Sequence, residues 1–122
     1  MATLIHLETH SNRRGHLTVV EDIVPFDIKR VFYIYGVDDS VRGGHRHHTT
    51  DQAAICISGS CDIFCNNGKE KTVFHLENPS ECLILNHEDW HTMYNFTPDA
   101  ILLVLASTPF DPDDYIFEPY ED

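Results

Sequence analysis

The chain has 122 residues, of which 42% are hydrophobic, and this fits a single domain, residues 1–122, with a modest core. Eight Lys and Arg residues against twenty Asp and Glu give a formal charge of −12, and this negative excess disfavours binding to nucleic acid or to anionic membranes. No apolar run approaches the ~18 residues that span a bilayer, and the N-terminus lacks the basic and apolar regions of a signal peptide, so the sequence predicts a cytoplasmic protein.

Short β-rich segments separated by turn residues run through the chain and predict an all-β sandwich or barrel. In chain order the predicted strands are Leu17–Glu21, Val31–Val37, His45–His48, Gln52–Ser58, Cys61–Asn66, Lys71–His75, Glu81–Leu85, His91–Phe96 and Ile101–Ala106. Asn67-Gly68 predicts a hairpin turn, because both residues tolerate positive φ. A single helical turn is predicted near Asp111-Pro112-Asp113-Asp114, with the first aspartate as its cap and the proline in its first position.

Two predicted strands are apolar on both faces, Val31–Tyr35 and Ile101–Leu105. Strands of this kind are covered on both sides. In a domain this small, a second subunit can supply one of the covering layers, and we therefore expect a homodimer. The simpler alternative places both strands at the centre of one sandwich.

The four cysteines are Cys56, Cys61, Cys65 and Cys82. Their spacing contains no C-x-x-C pair and no zinc-like pattern with histidine. Cysteine is a small residue that is readily buried, so these side chains are expected to pack in the core as reduced thiols.

Two histidines one residue apart, His45 and His47, form the most informative pattern in the chain. Side chains on a β-strand alternate between faces, so both imidazoles point to one face while Arg46 points to the other. His91, on a later predicted strand, is placed to reach the same cavity. Histidine suits proton transfer near neutral pH and is also a common metal ligand. The pattern therefore predicts either an acid/base pair or a metal site.

Many short strands together with a His-x-His pair resemble a cupin jelly-roll barrel. His45 and His47, followed by Gln52 and Gly59, match the first cupin motif, and His91 matches the end of the second. The fourth ligand of a metal-binding cupin is normally a Glu, and its replacement by an amide weakens a hard oxygen site. Three histidine nitrogens can still hold zinc or iron, so a metal site stays open as the alternative. The sequence favours an acid/base pair with no metal.

A closer resemblance covers the chain from about Arg14 to Ile116 and is to the cupin sugar-nucleotide 3,4-ketoisomerases, which act on dTDP-4-keto-6-deoxyglucose. The segments that carry it are Ile28-Lys29-Arg30-Val31-Phe32-Tyr33-Ile34, Arg42-Gly43-Gly44-His45-Arg46-His47, Gln52, Gly59-Ser60-Cys61, Trp90-His91, Val104-Leu105-Ala106-Ser107 and Asp113-Asp114-Tyr115-Ile116.

The resemblance implies a small dimeric jelly roll that needs no metal or other cofactor. It implies that the enzyme moves a ketone from C4 to C3 of a dTDP-linked 6-deoxyhexose, which is then used for deoxyamino sugars of surface polysaccharides or secondary metabolites. The family's acid/base pair matches His45 and His47. We expect His47 to be the base at C3, and His45 to assist proton transfer at the oxygens or at C4.

The diphosphate of such a substrate needs cationic partners. Arg42 lies at a strand entry and is the best candidate, since a guanidinium binds phosphate bidentately. Lys29 and Arg30 are further candidates, whereas Arg46 is a weaker one because of its opposite face.

Other side chains are expected to contact the nucleotide or the sugar. Tyr33 or Tyr35 is expected to stack on thymine or bond to the sugar, with one of the two in the core. Gln52 is expected to bond to the sugar or to steady a histidine. Arg14 and His91 resemble the residues of the galacto-forming members, so the expected product is dTDP-3-keto-6-deoxygalactose.

Three alternatives remain at this point. A sugar-nucleotide 3,5-epimerase shares the fold and the substrate class, but it relies on a lone His paired with Asp, so the His-x-His pair argues against it. A metal-dependent cupin oxygenase and a non-catalytic sugar-nucleotide-binding cupin both stay open.

Overall fold

The computed structural model describes residues 1–121, and nearly all of its regular structure is β-strand. The strands are β1 (Thr3–His6), β2 (Glu8–Asn12), β3 (Gly15–Val19), β4 (Arg30–Tyr35), β5 (Arg42–His47), β6 (Gln52–Ser58), β7 (Cys61–Asn66), β8 (Lys71–Leu76), β9 (Glu81–Leu85), β10 (Trp90–Tyr94), β11 (Ile101–Ala106) and β12 (Tyr115–Ile116). A 3₁₀ turn, Pro112–Asp114, precedes β12. The all-β prediction is confirmed.

Four strands begin and end where the sequence places them, namely β6, β7, β9 and β11. The predicted strands at β3, β4, β5, β8 and β10 are present with shifted ends, while β1, β2 and β12 were not predicted. The predicted helical turn is confirmed as the 3₁₀ turn, in which the side chain of Asp111 accepts a hydrogen bond from the amide of Asp113. The predicted hairpin joins β7 to β8, and the side chain of Asn67 accepts from the amides of Lys69 and Glu70.

Two antiparallel five-stranded sheets face each other. The first has the strand order β1-β9-β6-β11-β4 and the second β12-β5-β10-β7-β8, while β2 and β3 form a separate hairpin. The main core lies between the two sheets and includes Ala54, Cys56, Ile63, Leu83 and Leu102. The domain is therefore a jelly roll whose interior is filled from both sheets.

All four cysteines are free and buried, which confirms the core role expected of them. Within residues 1–121, no helix has the length and apolar character needed to cross a membrane.

The outer face of the first sheet is covered over only one half. There Leu7 and Val24, from the chain around the β2–β3 hairpin, pack on a second cluster that includes Ile55, Ile84 and Leu105.

On the other half of this face, four large side chains are exposed: Val31 at 56%, Tyr33 at 61%, Tyr35 at 67% and Ile57 at 45%. Together with Ile101 and Leu103, which line the same hollow, we call these residues the outer apolar face. The expectation that one of the two tyrosines lies in the core is wrong. Both stand on the outer face of β4, because the alternate residues Phe32 and Ile34 face the core.

Candidate functional site

Three histidines lie together inside the barrel. His45 and His47 share the inner face of β5, and their ring centroids are 5.1 Å apart. His91 on β10 is registered opposite His45, also with 5.1 Å between ring centroids. The exposed fraction is 3% for His47 and 2% for His91. The sequence-based prediction that the three imidazoles meet in one cavity is thus matched by the geometry.

A β-bulge precedes this pair on β5. His45 opposes His91, whereas Gly43 opposes Thr92 and Arg42 opposes Met93, so β5 carries one extra residue at this point. Gly43 has φ +81°, and a Cβ there would lie 2.9 Å from the carbonyl oxygen of His91, so only glycine fits. Residues opposed in an antiparallel pair share a face. The bulge therefore places Arg42 on the same face of the sheet as Met93, which is a core residue. Simple alternation counted from His45 would place Arg42 on the opposite face.

A buried carboxylate holds the ring of His47. Nδ1 of His47 lies 3.0 Å from Oδ2 of Asp114, which is 7% exposed. Nε2 of the same ring is buried and has no hydrogen-bond partner among residues 1–121. The ring therefore has one nitrogen fixed by the fold and one left for the cavity. Sequence reasoning noted Asp114 as part of a predicted helical turn and of the family pattern, but gave it no role in the site.

Burial keeps the three imidazoles neutral. Desolvation, followed by the charges of His91 and His47, lowers the pKa of His45 to about 3. Desolvation lowers the pKa of His91 to about 4, and Nδ1 of this ring is tied to the carbonyl oxygen of Asp89 at 3.0 Å. Desolvation also lowers the pKa of His47, against the opposing effect of Asp114. A neutral imidazole keeps a ring lone pair that can accept a proton or a hydrogen bond.

The C-terminal segment closes over the histidines. Tyr115 on β12 is registered opposite His47, and its ring centroid lies 4.8 Å from that of His45 and 4.7 Å from that of His47. Phe117 lies further along, 6.3 Å from the ring of His45. Sequence reasoning missed both aromatic residues as members of the site, because β12 is only two residues long and gives no periodic signal.

Two further predicted site residues lie at the same end of the barrel. Gln52 is 4% exposed and, like Ala54 two positions on, faces the interior of β6. Ala106 on β11 pairs with Gln52 on β6 on one side and with Arg30 on β4 on the other, so Arg30 and Gln52 lie in line across the sheet. The guanidinium carbon of Arg30 lies 5.3 Å from the ring centroid of Phe32, and its charge contributes to lowering the pKa of His47. This cation therefore acts on the histidine cluster.

The remaining predicted residues lie elsewhere. Arg46 points away from the histidines, as alternation requires, and its guanidinium carbon lies 4.3 Å from the ring centroid of Tyr120. Tyr33 and Tyr35 belong to the outer apolar face. Lys29 is exposed before β4, and Arg14 is exposed at the tip of the β2–β3 hairpin, in a sheet that the histidines do not share.

The side chains around the histidines differ from the ligand set of a metal-binding cupin. Among residues 1–121, no group of three His, Cys, Asp or Glu side chains is arranged to hold one. Gln52 supplies an amide where a metal-binding cupin has a carboxylate, and Nδ1 of His47 faces Asp114.

The fold and the histidine cluster together define a cupin-like jelly roll with a buried imidazole site. Residues 1–121 match the family described as FdtA: WxcM-like, C-terminal. The chain belongs to this family. It is 34% identical over 116 residues to TDP-4-oxo-6-deoxy-alpha-D-glucose-3,4-oxoisomerase of Aneurinibacillus thermoaerophilus, a match that covers 93% of this chain and 84% of that protein.

Solved structures give the same relationship. A variant of the 3,4-ketoisomerase QdtA from Thermoanaerobacterium thermosaccharolyticum, in which one histidine is replaced by asparagine, was solved with TDP-4-keto-6-deoxyglucose. It matches with a TM-score of 0.92 and 39% identity, covering 96% of this chain and 87% of that one. WlaRA, a TDP-fucose-3,4-ketoisomerase from Campylobacter jejuni, matches with a TM-score of 0.89 and 38% identity, covering 96% of this chain and 89% of that one.

Proposed function

We propose that this protein is a sugar-nucleotide 3,4-ketoisomerase that converts dTDP-4-keto-6-deoxyglucose into a dTDP-3-keto-6-deoxyhexose. One observation carries the proposal: two neutral histidines lie side by side on the inner face of β5, and one of them has a buried ring nitrogen without a partner among residues 1–121. The family membership and the names of the relatives support the same reaction and substrate class.

The chemistry requires groups that move protons between neighbouring carbons. Shifting the carbonyl from C4 to C3 passes through a cis-enediol, so one group removes the C3 proton and another delivers a proton to C4. We assign His47 as the base at C3, because its free Nε2 is buried and neutral. We assign His45 to proton transfer at the oxygens or at C4, because its ring lies beside that of His47. The isomerisation has no net redox change, so it consumes no external oxidant or reductant.

The substrate contacts follow from the placement of the polar residues. We assign Gln52 and His91 to the sugar, because both line the interior beside the catalytic pair. Arg30 faces the same end of the barrel and supplies positive charge to the developing enediolate or to the diphosphate.

Arg42 and Lys29 remain candidates for the diphosphate, and Arg14 with His91 remains the basis for proposing a galacto product. Contact of Tyr33, Tyr35 or Arg46 with the substrate stays a prediction, and in the single chain these side chains face away from the cavity.

We also propose a homodimer formed through the outer apolar face. Val31, Tyr33, Tyr35 and Ile57 expose a contiguous apolar surface on one sheet, which is unusual for a monomer in water. The β2–β3 hairpin supports the same proposal. Its strands are largely exposed, and a lone two-stranded hairpin is marginally stable without a covering partner. The four free thiols suit a reducing compartment, so we place the enzyme in the cytoplasm.

The test is a turnover assay on purified protein after exhaustive chelation, with bound metal measured in parallel. Incubation with dTDP-4-keto-6-deoxyglucose in H₂O is expected to yield a 3-keto product by proton NMR. A small H4–H5 coupling, from an equatorial H4, is expected for the galacto configuration, and a large one would give the gluco product instead. Unchanged substrate together with one metal per chain would favour a metal-dependent oxygenase. Binding of dTDP without turnover would favour a binding protein.

A further inference from the structure

Asp114 accepts an unusual number of hydrogen bonds for one buried carboxylate. Its donors are Nδ1 of His47 at 3.0 Å, the amide of Thr49 at 2.9 Å, the hydroxyl of Thr49 at 2.9 Å, the amide of Thr50 at 3.3 Å and the hydroxyl of Thr50. Burial favours the protonated acid, but the hydrogen bonds from Thr50, Thr49 and His47 outweigh it and hold the pKa of Asp114 below its usual range. The side chain is therefore a carboxylate, which can only accept.

An acceptor at Nδ1 decides which nitrogen of the ring carries the proton. A neutral imidazole has one N–H and one lone pair, and the hydrogen bond of one nitrogen sets the role of the other. Because the carboxylate of Asp114 can only accept a hydrogen bond, Nδ1 of His47 carries the proton. The lone pair of the neutral ring therefore lies on Nε2. That nitrogen is buried and without a partner among residues 1–121, inside the cluster formed with His45 and His91.

We propose that Asp114 is a positioning residue that locks His47 as the Nδ1–H tautomer and so makes Nε2 the base of the isomerisation. The inference rests on the proposed function for the identity of the reaction, while the tautomer itself is a property of the resting protein. Asp114 does not touch the substrate.

The proton balance is closed by the protein's own groups. The C3–H proton moves to Nε2 of His47 while the C–H electron pair becomes part of the enediolate. His47 is then an imidazolium whose second N–H still points to Asp114, and the opposite charges stabilise each other in a buried setting. The proton on Nε2 then passes to C4, directly or through His45, while the O3 hydroxyl proton passes to O4 and the carbonyl forms at C3, so that the ring returns to its neutral state.

The other groups that face His47 act on it from several elements. Arg30 on β4 opposes its protonation and Asp51 after β5 favours it, while the rings of His45, His91 and Tyr115 surround it. Unlike these groups, Asp114 is in direct hydrogen-bond contact with Nδ1 of His47. Its removal should therefore change the tautomer, whereas the remaining groups change the electrostatic field.

Asp114 also has a structural role, since it ties the 3₁₀ turn to the loop between β5 and β6 through Thr49 and Thr50. A loss of activity alone would not separate the two roles. The test must include a measurement that structural support by itself does not move.

The decisive measurement is the ¹⁵N NMR spectrum of His47 in the wild-type protein at pH 7. A protonated Nδ1 and an unprotonated Nε2 are expected. An Nε2–H tautomer in the wild-type protein would overturn the proposal without any variant, and it would leave the proposed isomerase activity untouched.

The variant Asp114→Asn keeps the size of the side chain, removes its charge and replaces one of its two acceptor oxygens by an amide nitrogen that can only donate. It is expected to shift His47 toward the Nε2–H tautomer and to lower kcat by about 10²- to 10³-fold, with KM changed by less than about threefold. Asp62→Asn is the matched control, because Asp62 accepts from Nδ1 of His75 at 2.6 Å on the outer surface and should leave kcat unchanged.

A fall in kcat with the wild-type tautomer retained in Asp114→Asn would reduce Asp114 to structural support and overturn the proposal. Wild-type protein with the expected tautomer but without turnover would instead count against the proposed function. If the asparagine variant does not fold, the wild-type spectrum still decides the tautomer.

Discussion

His45 and His91 lie directly opposite each other across β5 and β10, with ring centroids 5.1 Å apart. Burial disfavours a proton on either ring and is the main reason why the pKa of His45 falls to about 3 and that of His91 to about 4. The charge that His91 would carry lowers the pKa of His45 further. The interior of the barrel thus holds several uncharged imidazoles side by side.

Replacing either member of the proposed acid/base pair should remove most of the activity. We expect His47→Asn and His45→Asn each to lower kcat at least about 10²-fold, because a positioned general acid or base contributes on that scale. His75→Asn is the control, since His75 is 54% exposed and bonds only to surface carboxylates. Turnover is measured by NMR on dTDP-4-keto-6-deoxyglucose. Near-normal turnover in both active-site variants would contradict the assignment.

The stability of the protein should fall in mild acid because His91 is buried uncharged. Its pKa of about 4 in the folded state lies below 6.5, the ordinary value, so the unfolded chain binds a proton that the folded chain does not. The free energy of unfolding is therefore unaffected by this group above pH 6.5 and decreases as the pH falls from 6.5 toward 4.

Chemical denaturation of His91→Gln beside the wild type isolates this effect. Between those pH values the variant's stability should fall less steeply, by up to about 1.4 kcal/mol per pH unit, which is the value of one proton. Identical slopes for the two proteins would mean that His91 is already protonated in the fold or titrates normally.

A charge on the outer apolar face should dissociate the proposed dimer. Tyr33→Asp places a carboxylate in the middle of this surface, where its desolvation opposes association. We expect light scattering to give the mass of two chains for the wild type and of one chain for the variant. Val73→Asp is the control, because Val73 is 53% exposed on the other sheet and should leave the mass unchanged. A monomeric wild type would refute the dimer.

Two glycines with similar backbone angles should respond very differently to alanine. Gly59 has φ +64°, and a Cβ there would lie 2.8 Å from Cα of Ala100 and closer still to the side chains of Thr97 and Asp99. Gly36 has φ +67° with open space around it. We expect Gly36→Ala to cost about 1 kcal/mol from the backbone conformation alone, and Gly59→Ala about 3 kcal/mol or more because of the added overlap.

Urea denaturation of both glycine variants measures this difference. Equal losses of stability would show that the chain near Ala100 relaxes freely around the added methyl group.

The strands that the sequence predicted correctly are those with a buried face. β6 and β11 carry apolar residues that pack in the core, so their composition identifies them. β2 is exposed along its whole length and reads Glu-Thr-His-Ser-Asn, which carries no apolar alternation to detect. Its pairing with β3, and not burial, makes it a strand.

The histidine cluster was predictable because the alternation of side chains along a strand is a local property of the sequence. The residues that hold the cluster in place are distant in the chain, and they were not predictable in this way. Asp114 is 67 residues away from His47, so no spacing rule connects them. The face of Arg42 depends on the bulge at Gly43, and a bulge reverses the alternation without a clear mark in the sequence. The exposure of Tyr33 and Tyr35 escaped prediction since an apolar strand looks the same whether its second cover is its own chain or another one.

The four cysteine thiols on β6, β7 and β9 are buried, each with an exposed fraction of 0%. Cys56, Cys61 and Cys65 lie in the core between the two sheets, whereas Cys82 lies under the chain that covers the outer face of the first sheet. Burial raises the pKa of Cys65 to about 12 and that of Cys82 to about 11, so the reactive thiolate is scarce at these two positions. A thiol reagent can reach Cys65 only when the two sheets part, and Cys82 only when the cover over the first sheet lifts. The rates at which these two thiols are alkylated in an unmodified sample therefore report how often each layer opens, without any introduced label.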